Sequence, residues 1–314
     1  MKPHISEFHP DLQKMAGRIP SFNFSRKNLW LIRFLTNLQP APKIPMDLSI
    51  ENSFIPGPDQ GTRIRLRIYR PKSSTGMAPA LLWLHGGGYI IGKPEQDDAC
   101  CIQYVRQLGI VIASVDYRCA PEHPFPTPLE DGYAALQWLA GHAGQLGLDP
   151  TRIAIGGGSA GAGLAAALAQ LACDRKEIKP VFQLLVYSML DDRTCLRTDL
   201  NKRGYLAWSF ISNCFGWESY LGKKYGADLL PPYSVPSRRP DLSGLPPAWI
   251  GVGTLDLFHD EDAAYAQRLK DCGVACELVV VPGAFHGFDV MAPQAQVVQD
   301  FRKSQLDALK RYLF

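Results

Sequence analysis

From about residue 47 onward, apolar runs of strand length alternate with longer stretches whose apolar residues recur at helical spacing. That alternation predicts a largely parallel sheet covered on both faces by helices, an α/β architecture. The strand candidates are Ala80–Leu84, Ile110–Tyr117, Ile153–Gly157, Val181–Leu190, Ala248–Leu255 and Cys276–Pro282, each apolar almost throughout, as strands buried on both faces should be. Thr62–Arg70 differs: it alternates Arg with Ile and Leu, which fits a half-buried antiparallel strand at the edge of the sheet. Pro128–Gly147 begins on a proline, and Asp260–Gly273 opens with acids and closes on glycine, so both are expected as crossover helices.

Two stretches break the rhythm. Residues 1–46 precede it, and residues 191–245 interrupt it with an aromatic segment followed by the proline-rich run Pro231–Pro247. We expect a catalytic-type domain made of 47–190 and 246–314, with the two irregular stretches forming a cap over one end of the sheet. Phe22, Phe24, Trp30, Phe34, Trp208, Phe210, Phe215 and Trp217 fall within them; half or more are expected to hold the cap together and the others to line a pocket. The sequence has no internal repeat and no low-complexity tract.

Composition narrows the class. At 314 residues with 46% hydrophobic content, the chain can bury a large core. A net charge of +3, without a concentrated basic run, argues against a nucleic-acid partner. No stretch has the apolar length of a membrane helix and no export signal opens the chain, so a soluble, cytoplasmic protein without a stable membrane anchor is expected. The eight cysteines are too sparse for a disulfide scaffold, and the Cys272/Cys276 spacing has no companion pair, so reduced thiols and no metal site are expected.

Candidate chemistry centres on Ile153–Ala169, which reads IAIGGGSAGAGLAAALA. Gly156, Gly158 and Gly161 have the spacing of a dinucleotide-binding turn, while Gly157, Ser159 and Gly161 have that of a nucleophile elbow. The first reading requires an acid about 20 residues on, at the end of the next strand. Asp191 and Asp192 come later than that, and Asp174 and Glu177 lie before the strand begins. The elbow reading requires an acid and then a histidine further along the chain. Only His259 and His286 follow Ser159, and His286 sits in a glycine-flanked loop after the last strand candidate. Asp256 immediately follows the strand candidate before it and so shares its rim, whereas Asp260 and Asp262 read as acids favoured at a helix N-terminus. Gly157 and Gly161 leave room for a strained strand-to-helix turn, and the Ala160 N–H at the start of the following helix is an orphan donor for an oxyanion. His85-Gly86-Gly87-Gly88, directly after an early strand, is the second oxyanion element that esterases use. His85 is expected to be structural, as are Asp116, Arg118 and Glu122, while Asp191 and Asp192 are expected to fix the exit of the chain from its strand.

These motifs resemble the hormone-sensitive-lipase family, the bacterial family IV esterases of the α/β-hydrolase fold. The likeness runs through His85–Gly88, Asp116–Pro126, Gly157–Gly161, Met189–Arg193, Asp256–Glu261 and His286–Phe288. It implies an eight-stranded, mostly parallel sheet with a helical cap, and a serine carboxylesterase acting on short- to medium-chain acyl esters without a cofactor. It further implies Ser159 as nucleophile, His286 as base, Asp256 as its orienting acid, and Gly86, Gly87 and Ala160 as oxyanion donors. His85, Gly88, Gly157 and Gly161 would support them. Gly158 departs from the family, which commonly keeps Asp or Thr there, and Leu257 stands where Pro is often found. A non-catalytic ligand-binding protein on the same scaffold, or a nucleotide-dependent enzyme using the glycine turn, is the alternative. The partner expected is a small ester, with a monomeric or homodimeric state left open.

Overall fold

The computed structural model describes residues 3–20, 22–38, 45–73 and 76–314. Among the described residues, eight strands form one sheet: β1 (Leu48–Pro56), β2 (Arg63–Pro71), β3 (Ala78–Leu84), β4 (Val111–Asp116), β5 (Leu148–Gly158), β6 (Gln183–Val186), β7 (Ala248–Gly253) and β8 (Cys276–Val281). Their spatial order is β1-β2-β4-β3-β5-β6-β7-β8. The β1/β2 and β2/β4 pairs are antiparallel and the others parallel. The longer helices are α1 (Leu29–Asn37), α2 (Asp98–Leu108), α3 (Thr127–Gly141), α4 (Ala160–Arg175), α5 (Phe210–Leu221), α6 (His259–Asp271) and α7 (Gln296–Leu313).

The uniform apolarity of the central strands has a direct cause, since each faces a core on both sides. In β3, Leu82 and Leu84 join a cluster with Leu136 of α3 and Leu164 and Leu168 of α4. Leu81 and Trp83, pointing the other way, pack with Tyr104 of α2 and Phe301 and Leu309 of α7. Helix α4 is alanine-rich because it is buried nearly all round, from Ala160 to Ala172.

Two strand expectations need correction. The Arg/Ile/Leu alternation does mark an antiparallel strand, but β2 is interior, paired with β1 on one side and β4 on the other. The edge belongs to β1, whose polar Ser49, Glu51, Asn52 and Ser53 leave only Leu48 and Ile55 buried and so give no clean period-two signal. The run expected to be a strand through Leu190 stops at Val186. Beyond it the backbone turns away, because Ser188 N–H donates to Asp262 and Leu190 N–H to Glu261, both on α6.

The N-terminal stretch docks in two places. Phe8 packs edge-on against Phe285 with ring centres 6.0 Å apart. His9 N–H donates to Gly283 O at 3.0 Å. Residues 22–38 instead meet the insertion between β6 and β7: Phe24 N–H donates to Ser212 Oγ at 3.0 Å, and its ring lies 5.4 Å from Trp208. Within that insertion Asp192 is buried, accepting from Gly226 N–H and pairing with Arg238 at 2.8 Å, which fastens the chain where it leaves β6.

Candidate active site

Ser159 stands between the last residue of β5 and the first of α4, with φ 57° and ψ −121°, a conformation costing about 1–3 kcal/mol for a residue with a side chain. Three backbone hydrogen bonds hold it there. Ser159 N–H donates to Val186 O at 2.9 Å, and Ser159 O accepts from Met189 and Gly163 N–H, each at 3.1 Å. The turn is so tight that a Cβ on Gly161 would lie 2.0 Å from Leu84 O, and one on Gly157 would lie 2.5 Å from the Gly161 backbone. Neither position admits a side chain. Gly158 differs, since a Cβ there would make ordinary 3.7 Å contact with the Tyr187 ring.

Asp256 follows β7 and His286 follows β8, so both reach the same carboxyl rim of the sheet as Ser159. Ser159 Oγ lies 2.9 Å from His286 Nε2, and His286 Nδ1 lies 2.9 Å from Asp256 Oδ2. Because a carboxylate only accepts, Nδ1 carries the proton and Nε2 is left as the acceptor for the serine hydroxyl. The second oxygen of Asp256 accepts from Phe258 N–H at 3.0 Å, fixing the carboxylate plane. Tyr187 and Phe258 meet the imidazole edge-on, at 4.7 and 5.2 Å between ring centres. All three polar side chains are buried, yet each has its partner, as a low-dielectric site requires.

The glycine loop after β3 lies against the serine: a Cβ on Gly86 would be 3.4 Å from Ser159 Cβ. His85 is fully buried and stacked on Tyr117 with ring centres 4.1 Å apart. Burial pushes its pKa down, so the ring is neutral. Its Nδ1–H donates to Gly86 O at 2.9 Å, and Gln96 Nε2 donates to the same oxygen at 3.2 Å. Since Gly86 C=O and Gly87 N–H belong to one planar peptide and point opposite ways, holding the carbonyl aims the N–H.

Other candidates fall elsewhere. His259 opens α6 beside Asp260, to which its Nδ1 lies at 2.9 Å. Asp116 pairs with Arg65, Arg118 with Asp131, and Glu122 with Arg33, so each ties its loop to a neighbour. Gly156 lies within β5 and not in the turn. A cavity of about 550 Å³ lined by Gln170, Asp174, Tyr233, Arg238 and Arg239 contains none of the Ser159, His286 and Asp256 group. Sequence reasoning missed Gln96, Tyr187, Glu261 and Asp262. The last two are buried acids whose partners are backbone N–H groups about 70 residues distant, a relation that no local pattern carries.

An eight-stranded sheet of this order, with a serine, histidine and aspartate gathered at its carboxyl rim, defines a class of hydrolase. The chain belongs to the family described as the alpha/beta hydrolase fold, whose model matches residues 81–290, within its hormone-sensitive-lipase branch. It is 35% identical over 282 residues to the carboxylesterase NlhH of Mycobacterium tuberculosis, covering 89% of this chain and 88% of that one. It is 33% identical over 256 residues to an ethyl acetate hydrolase of Pseudomonas putida, covering 81% and 80%. Among solved structures it superimposes on a bacterial heroin esterase with a TM-score of 0.90 at 34% identity, over 99% of both chains.

Proposed function

We propose that this protein is a serine carboxylesterase acting on short- to medium-chain acyl esters. The observation that carries the reading is the unbroken hydrogen-bond chain from Ser159 Oγ through His286 to Asp256. Ser159 attacks the ester carbonyl while His286 Nε2 takes the hydroxyl proton. The imidazolium so formed is stabilised by Asp256 and then protonates the departing alkoxide. Water enters next: its oxygen attacks the acyl carbonyl as it gives a proton to the same nitrogen, and that proton passes to Ser159 Oγ as the carbonyl–Oγ bond breaks and the acid leaves. Gly86, Gly87 and Ala160 supply N–H donors to the oxyanion of both tetrahedral intermediates. In support, Ala160 is the first residue of α4, whose opening N–H groups lack intrahelical partners, and the Gly86 carbonyl is doubly held. Gly157 and Gly161 maintain the turn, Gly88 completes the loop, and His85 holds it.

Residues 22–38 together with the insertion 191–245 act as the cap that selects the ester, and the hydrogen bonds joining Asn23 and Phe24 to Ser209 and Ser212 support that assignment. The relatives named above hydrolyse esters by name, and none of those names fixes the substrate here. The test is hydrolysis of p-nitrophenyl butyrate by wild type and Ser159→Ala. Turnover should drop by about 10³-fold or more in the variant. Undiminished turnover would refute the assignment.

A further inference from the structure

Between Asp11 and Asp47 the sequence has no acidic residue, yet it has six cations: Lys14, Arg18, Arg26, Lys27, Arg33 and Lys43. That excess is twice the net charge of the whole chain, so the remainder is net negative. Helix α1 lies in this stretch and is apolar on two sides. Its inner side is fastened: Leu29 is buried, and Arg33 donates to Ile90 O at 2.9 Å and Ala120 O at 2.7 Å and pairs with Glu122. Its outer side exposes Trp30 (68%), Leu31 (42%), Phe34 (56%), Leu35 (55%) and, just past its end, Leu38 (63%). Positions 30, 31, 34, 35 and 38 share one helical face. Arg26 and Lys27, both exposed, stand just before the first turn.

We propose that this face docks on an anionic lipid surface, with the aromatic and aliphatic side chains at the headgroup boundary and Arg26 and Lys27 on phosphates. Cations beside an outward Trp/Phe/Leu stripe are what interfacial helices present. A second copy of the chain fits worse, because a two-fold contact through this patch would set its cations against themselves. The position matters as well. Arg33 grips the carbonyl of Ile90, two residues beyond Gly88, so the docking face is anchored to the glycine loop beside Ser159. Esters dissolved in a membrane would be met there. The inference stands on charge and exposure and does not depend on the esterase reading.

The test is flotation of the full-length protein with vesicles of phosphatidylcholine alone and of phosphatidylcholine with about one-third phosphatidylglycerol. Wild type should float with the anionic vesicles and not the neutral ones, and high salt should release it. Binding should fall about tenfold or more in Arg26→Glu/Lys27→Glu and in Trp30→Ser/Phe34→Ser, with thermal melts showing that both variants fold. No preference for anionic vesicles, or variants that bind like wild type, would overturn the proposal. So would sedimentation velocity showing a wild-type dimer that Trp30→Ser dissociates, since the face would then belong to a second copy.

Discussion

At the scale of single residues, the site depends on positions that tolerate nothing else beside positions that tolerate a good deal, and geometry separates them. Gly161→Ala drives a methyl to 2.0 Å from a backbone oxygen. It should cost about 3 kcal/mol or more in urea unfolding. Gly158→Ala, whose added methyl meets only the Tyr187 ring at contact distance, should change stability by less than about 1 kcal/mol and leave the serine in place. The family preference for a side chain at 158 therefore does not make the glycine a defect, because Val186 O, Met189 N–H and Gly163 N–H already fix the Ser159 backbone. Asp256 acts through the imidazole. In Asp256→Asn the amide can donate to Nδ1 and favour the wrong tautomer, so steady-state kinetics should show kcat down by about 10⁴-fold with KM nearly unchanged.

At the scale of elements, α6 is the less obvious half of the machinery. It begins three residues after Asp256, and its first turn carries Glu261 and Asp262 inward to the backbone of Leu190 and Ser188. Between those two residues Met189 donates to Ser159 O. One helix thus braces both the acid and the back of the serine turn. Burial pushes the pKa of Asp262 well above the ordinary carboxylate range, with Glu261 and Asp256 adding to the rise. A carboxyl whose folded pKa is raised contributes stability fully below its unfolded value near 4 and loses it as pH rises through the folded value. Asn keeps the acceptor for Ser188 without the charge, so Asp262→Asn should gain stability relative to wild type as pH increases from about 4 to 9 in urea titrations. A constant difference across that range would contradict this role.

The elements also show where the sequence was readable. Strands buried on both faces were legible as apolar runs, and the rim positions of Ser159, Asp256 and His286 followed from their places at strand ends. The edge strand β1 was not, because its outward polar residues come without regular alternation. Asp262 reads as an ordinary helix-opening acid and Glu261 only as the end of a motif; their burial depends on the chain returning past them from β6, a long-range event. Gln96 was invisible for the same reason, as its partner Gly86 is reached across a loop.

At the scale of the whole molecule, residues distant in sequence converge on one imidazole. The N-terminal segment packs Phe8 against Phe285, the neighbour of His286, while Tyr187, just past β6, and Phe258, just before α6, meet the imidazole edge-on. The fold's contribution to chemistry is therefore to hold a single ring, with one nitrogen facing a carboxylate and the other a hydroxyl. Reaction with diethyl p-nitrophenyl phosphate followed by peptide mass spectrometry tests that claim most directly. One diethylphosphoryl group per chain is expected, on Ser159, with its rate of formation reduced by about 10³-fold or more in His286→Ala. An unmodified Ser159, or labelling that proceeds as fast without His286, would contradict it.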